Sequence, residues 1–185
     1  MKKEINEMTT EHYSKHNNQD YVKHMRAVFL NLTQHEVSDR DIESREIPTK
    51  DGVKTLYYYQ WAACWRELKR RFPDASYKFR EFERDGKVYD VMYYPDTTAS
   101  VHCSVTVAGI TNDMWLPVMD KKNNSIPNPS SREISDAKMR CLVKCIAMHG
   151  LGLDINEGNY RPIKLGDPRA KTITLGEAKE KGLLP

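Results

Sequence analysis

No GxxxxGKS or GxxxxGKT motif occurs in this sequence, so no strand–loop–helix cradle for a nucleoside triphosphate is encoded. GxGxxG, HExxH, GxSxG and CxxC are absent as well, which removes the usual signatures of dinucleotide binding, zinc proteolysis, serine hydrolysis and dithiol chemistry. The acidic residues are scattered through polar loops and helix starts, with no cluster suited to a two-metal nuclease. No apolar run approaches the roughly 20 residues of a membrane span, and the opening MKKEINEMTTEH holds no signal-peptide core. A cytoplasmic location is expected. There is no internal repeat. Four cysteines among 185 residues, Cys64, Cys103, Cys141 and Cys145, are too few and too unpaired for a disulfide scaffold. They read as reduced packing residues.

Charge of one sign is also scarce. The net charge is +3, the sequence pI is about 8.6 and the mean hydropathy is −0.73. Residues 1–50 carry 8 Lys/Arg against 9 Asp/Glu; the rest carries 21 against 17. A polyanion could therefore be met only by a local basic patch, with modest affinity per subunit.

What is present is an ordered series of elements. SSREISDAKMRCLVKCIAMHGLGL, residues 130–153, predicts one long amphipathic helix. Ser130 and Glu133 fit a capping box at its start. Ile134, Ala137, Cys141, Leu142, Cys145 and His149 make an apolar stripe. Arg132, Asp136, Arg140 and Lys144 recur every fourth residue as a charged stripe, which alone is as well explained by a solvated face. Gly150 and Gly152 fit its end. Cys141, Cys145 and His149 share a helical face, but no second ligand pair accompanies them, so packing explains them better than zinc.

Upstream, residues 1–18 read as frayed and residues 19–32 as a short helix on Tyr21, Met25, Val28, Phe29 and Leu32. Residues 33–54 read as a polar connector. LYYYQWAACWRELKRRF, residues 56–72, predicts a helix that buries Tyr58, Trp61, Ala62, Trp65, Leu68 and Phe72 and stops at Pro73. Its last turn carries Lys69, Arg70 and Arg71, which complement the helix dipole or meet phosphates. A four-strand meander follows. ASYKFREFER and KVYDVMYY flank the hairpin signal Asp85-Gly86; ASVHCSVTVA alternates apolar and polar residues; TNDMWLPV follows Gly109. In the first of these strands Lys78, Arg80 and Phe82 share a face. Residues 119–131 form a polar loop whose Lys121 and Lys122 are candidate phosphate contacts or merely solvated. After Asp154 a Gly- and Pro-rich stretch leads to a short helix, TLGEAKEKGLL, with a second capping box at Thr174 and Glu177. The division expected is 1–54, a helix and connector; 55–155, the core; and 156–185, a tail.

Three segments, YYYQWAACWRELKRRFPDASY, VHCSVTVAGITNDMWLPVMD and ISDAKMRCLVKCIAMHGLGLDI, resemble in order a family of phage single-strand annealing proteins. WLPVMD and RCLVKCIAMHGLGL are the most specific parts. This family stands with the Erf, Sak and Redβ-type recombinases and with the Rad-fifty-two superfamily. The resemblance implies an α+β fold in which an antiparallel β-meander packs on a long helix, a β-β-β-α annealing core with flanking helices. It also implies a homo-oligomeric ring or helical filament, single-stranded DNA as partner, annealing without ATP or any cofactor, and possible dealings with a phage exonuclease and a host single-strand-binding protein. In such proteins DNA lies in a positive groove between sheet and long helix. The matching positions here are Arg140 and Lys144, then Arg132 and Lys138, with Lys78 and Arg80 from the sheet and Lys69, Arg70 and Arg71 from the preceding helix. Tyr57, Tyr58, Tyr59, Tyr93 and Tyr94 are candidates for stacking on bases, although tyrosines more often serve a core or an interface.

Two other readings stand beside this one. A metal-dependent nucleic-acid enzyme would draw on Asp90, Asp96, His102 and Asp113. A host-repair interaction module would act through the tail.

Overall fold

A computed structural model describes residues 19–50, 52–158 and 160–162. The expected fraying of residues 1–18 and the capping box at Thr174 and Glu177 lie outside the described residues. The architecture is α+β with antiparallel sheets, and the described residues contain four α-helices. In order they are α1 (Gln19–Thr33), β1 (Ile42–Thr49), β2 (Gly52–Tyr59), α2 (Trp61–Arg71), β3 (Ser76–Phe79), β4 (Phe82–Arg84), β5 (Lys87–Tyr89), β6 (Met92–Tyr93), β7 (Ala99–Val107), β8 (Ile110–Pro117), α3 (Ser131–Ala147) and α4 (Leu153–Asn156).

The central strand is β7. Val101, Cys103, Val105 and Val107 are all buried, and the residues between them face the other way. Along one edge β7 pairs with β8, through a two-residue turn in which Ala108 and Gly109 both take positive φ. Along its other edge it pairs with β3 at one end and β6 at the other. This corrects the simple meander. The strand predicted over residues 75–84 breaks at Arg80-Glu81, and its partner breaks at Asp90-Val91. Phe82–Arg84 and Lys87–Tyr89 then form a separate hairpin about Asp85-Gly86, while β3 passes directly to β7.

Helix α3 covers the inner face of β7 and β8. Its capping box is formed: the Glu133 amide donates to Ser130 Oγ at 3.3 Å, and the Ser130 amide donates to the Glu133 carboxylate at 2.8 Å. The helix then lays a ladder along the strands. Cys141 Sγ donates to Val101 O at 3.9 Å, Cys145 Sγ to Cys103 O at 3.5 Å, and the His149 Nε2–H to Val105 O at 3.0 Å. Four helical residues rise about 6 Å and two strand residues about 6.6 Å, so the two repeats stay in step. The predicted helix over 130–153 is too long: it ends at Ala147, and a turn containing Gly150 and Gly152, both at positive φ, leads into α4.

Two further elements differ from expectation. Residues 42–49 and 52–59 pair as the hairpin β1–β2, not a connector followed by a helix, and the ribbon runs across positions 54 and 55. Most of its residues are exposed, so no period-two apolar face marked it. Helix α2 accordingly starts at Trp61. It buries Ala63, Cys64, Glu67 and Leu68, one step round from the predicted stripe, and leaves Trp61 exposed. Helix α1 matches its predicted span, burying Val28 and Leu32 while Met25 and Phe29 remain exposed.

Candidate nucleic-acid interface

Among the described residues no helix covers the face of the sheet turned away from α3, and its side chains fall into rows fixed by strand register. Lys78 lies opposite Ser104, which lies opposite Asp113. One row along, the Arg80 amide donates to His102 O at 3.0 Å, and His102 lies opposite Trp115. Beyond Lys78, Ser76, Thr106 and Thr111 make a third row. The first two rows and Glu81 bound an open groove of about 510 Å³.

Aromatic rings form the groove's floor at one end. The His102 ring lies 6.4 Å from Trp115 with their planes 25° apart, and Phe82 meets His102 edge-on at 5.1 Å. The Arg80 guanidinium sits 5.4 Å over the Phe82 ring. Trp115 is 57% exposed. Burial, and secondarily the Arg80 charge, hold the His102 imidazole below its ordinary pKa of 6.5, so the ring is neutral at neutral pH. His102 Nε2 and Ser100 Oγ are 3.1 Å apart, and Ser100 Oγ in turn meets Tyr94 OH at 3.1 Å.

The nine basic residues expected to touch DNA are distributed over several surfaces. Lys78 and Arg80 line the groove. Arg140 and Lys144 lie on α3, the helix that covers the opposite face, so the sheet separates the two pairs. Neither Arg140 nor Lys144 is ion-paired among the described residues. Arg132 Nε lies 3.2 Å from its i+4 partner Asp136. Lys138 binds the Asp90 carboxylate and lies 5.2 Å over the Phe79 ring. Lys69 is bonded to carbonyls beyond the α2 C-terminus, Pro73 O and Ala75 O. Arg71 reaches Glu67 at 2.9 Å and His35 Nδ1 at 2.9 Å, tying α2 to the chain after α1. Arg70 also approaches Glu67, at 3.3 Å, but its side chain is 74% exposed.

Of the tyrosines, Tyr57 packs edge-on to Tyr160 and Tyr93 to Tyr89, Tyr59 is buried and Tyr94 bonds Ser100. Tyr58 is exposed. Trp115 was not singled out from the sequence, yet a signal was there: in TNDMWLP it shares the phase of Thr111 and Asp113, where a surface strand carries polar residues.

The four polar residues of the enzyme reading do not converge. Asp90 is bound to Lys138, and Asp96 accepts from the Thr98 amide and hydroxyl in a turn. His102 and Asp113 do share the groove, but they lie in different rows, each bonded to a serine. Among the described residues no three His, Cys, Asp or Glu side chains are placed to hold a metal. Cys141 and Cys145 are buried in the helix–sheet seam, where burial pushes the Cys141 thiol up to about 12. No helix among the described residues is long and apolar enough to cross a membrane.

The family model described as Sak Single Strand Annealing Protein matches residues 27–181. No curated protein matches the chain.

Proposed function

Because the chain belongs to the Sak single-strand annealing family, we propose that it pairs complementary DNA strands without ATP during phage recombination in the bacterial host cytoplasm, working as a homo-oligomeric ring or filament. The observation that carries this reading is the outer sheet face, where among the described residues no helix covers the sheet and Lys78 and Arg80 stand free of ion pairs beside the exposed Trp115. Contacts to phosphates are sequence-independent, which annealing requires, since either strand of any sequence must be held. Pairing and stacking between the two strands supply the driving force, so no nucleotide need be hydrolysed. A single groove with two free cations binds weakly; repetition around an oligomer raises the effective concentration of each further contact.

In this reading Lys78 and Arg80 make the first phosphate contacts. Arg140 and Lys144 form a second basic surface, reached by a strand that passes round the sheet edge or on to a neighbouring subunit. Arg70 and Arg132 add exposed charge, while Lys69, Arg71 and Lys138 serve mainly to hold the fold. An exonuclease that exposes single strands and a host single-strand-binding protein are the natural protein partners.

The test is an annealing assay with two complementary oligonucleotides, without ATP, at low and moderate salt. Faster pairing that fades as salt rises supports the reading. No acceleration at either salt defeats it, and shortened strands in the same gel favour a metal-dependent nuclease.

A further inference from the structure

Resting on the annealing reading, we propose that the outer sheet face fixes the orientation of the bound strand, with phosphates over the β3 column and a nucleobase stacked on Trp115 in the β8 column. The two columns differ in chemistry. The β3 column presents Lys78 and, one residue past the strand end, Arg80, both cationic. β8 presents Asp113 and Trp115, an anion and an exposed indole. A phosphate is drawn to the first column and repelled by Asp113 in the second, while a base finds its flat apolar partner only in the second. Nothing polar is lost when the indole is covered by a π-face, and every base has one, so the contact suits a strand of any sequence.

The platform is braced. His102 stacks beside Trp115 and is itself held by Phe82 and Ser100, so the indole does not stand alone on a mobile strand end. Arg80 lies against the same aromatic row, so the phosphate contact and the base contact stand on opposite sides of His102, with β7 between them. The arrangement has a kinetic consequence. A base stacked on Trp115 is withheld from pairing and must leave the indole before the duplex can run through that point. Trp115 therefore strengthens holding and slows pairing.

The test compares the full chain with Trp115→Ala and Trp115→Phe, on an oligothymidylate and on an abasic strand of equal length. Trp115 is exposed, so its replacement leaves the core intact, and circular dichroism checks this. Expected is a loss of about tenfold in affinity for oligothymidylate in W115A, with most of it restored in W115F. The abasic strand should bind W115A and wild type alike, and pairing per bound strand should be faster in W115A. The platform is overturned if W115A binds oligothymidylate as wild type does, if it loses affinity equally for both strands, or if it only changes the size of the oligomer. Wild-type annealing with no loss of oligothymidylate affinity in W115A defeats the platform alone; a wild-type chain that neither binds nor anneals defeats the annealing reading with it.

Discussion

Removing Lys78 and Arg80 should change how binding depends on salt, and by an amount that can be worked in advance. Each phosphate contact to a single strand contributes about 0.7 to the slope of log affinity against log salt. Two contacts contribute about 1.4, which over a fourfold rise, from about 50 to about 200 mM salt, amounts to roughly a sevenfold loss of affinity. The double variant Lys78→Ala, Arg80→Ala should therefore bind more weakly at low salt and lose roughly sevenfold less than wild type across that interval. Both side chains are exposed and neither is in an ion pair among the described residues, so the fold should be undisturbed. Fluorescence anisotropy with a labelled oligonucleotide, at four salt concentrations, measures the slope. The comparison pair is Arg140→Ala, Lys144→Ala, from the helix on the other side of the sheet. An unchanged slope in the groove variant refutes the sheet face as the binding surface; if the helix variant alone flattens the slope, the strand lies on the α3 side instead.

Four further outcomes are expected. His102 titrates below 6.5 beside Arg80, so lowering the pH from 7 toward 5 adds a positive charge to the groove and should tighten single-strand binding, an increment that His102→Gln abolishes in the same anisotropy titration. His149, buried against Val105 and held below 6.5 chiefly by desolvation, contributes stability that is present above pH 6.5 and lost as pH falls toward its depressed folded value; the urea midpoint should drop over that window, and less so in a folded His149→Gln variant. Gly150 has φ of +112°, and a Cβ there would stand 2.8 Å from Phe29 O and 2.9 Å from Thr33 Cγ2, so Gly150→Ala should lower stability by about 2 kcal/mol in thermal or urea unfolding. Glu67 is mostly buried and faces Arg70, Arg71 and the His35 ring; Glu67→Ala leaves the two arginines without their anion at the α1–α2 seam and should cost about 3 kcal/mol, read as a shift in the urea midpoint.

Periodicity found those elements whose apolar side chains meet a core on one face. The alternation of β7 and the recurrence of Ala137, Cys141 and Cys145 on α3 are the two halves of one packed seam, and each is visible in sequence for that reason. The hairpin β1–β2 was hidden by the same logic. Its strands bury little, so IESREIPT and GVKTLYYY show no apolar period, and Tyr57 to Tyr59 could be mistaken for the start of α2. Their burial depends on residues far along the chain: Tyr57 packs on Tyr160, and a Cβ at Gly152 would collide with the Tyr59 ring. The break in the first predicted meander strand was likewise invisible, because pairing of β3 with the distant β7 decides it.

For the candidate site, sequence supplied the chemistry but not the partition of charge. Spacing put Arg132, Arg140 and Lys144 on one helix stripe and Lys78 and Arg80 on one strand face; the first three do fall on α3, while Arg80 lies just past the end of β3 and shares the groove with Lys78. Which cations are already committed to carboxylates or carbonyls is a matter of tertiary neighbours. Lys138 finds Asp90 48 residues away, and Arg71 finds His35 36 residues away. A basic residue in a helix stripe thus carries little weight until its partners are known, whereas an aromatic residue in the polar phase of a strand is informative at once. Trp115 is such a residue. Burying it would require β8 to slip by one position, which would expose Met114 and Leu116 and turn Asp113 into the core beneath α3. The register that keeps the helix–sheet seam apolar is therefore the same register that holds an indole out to solvent, across the groove from Lys78 and Arg80.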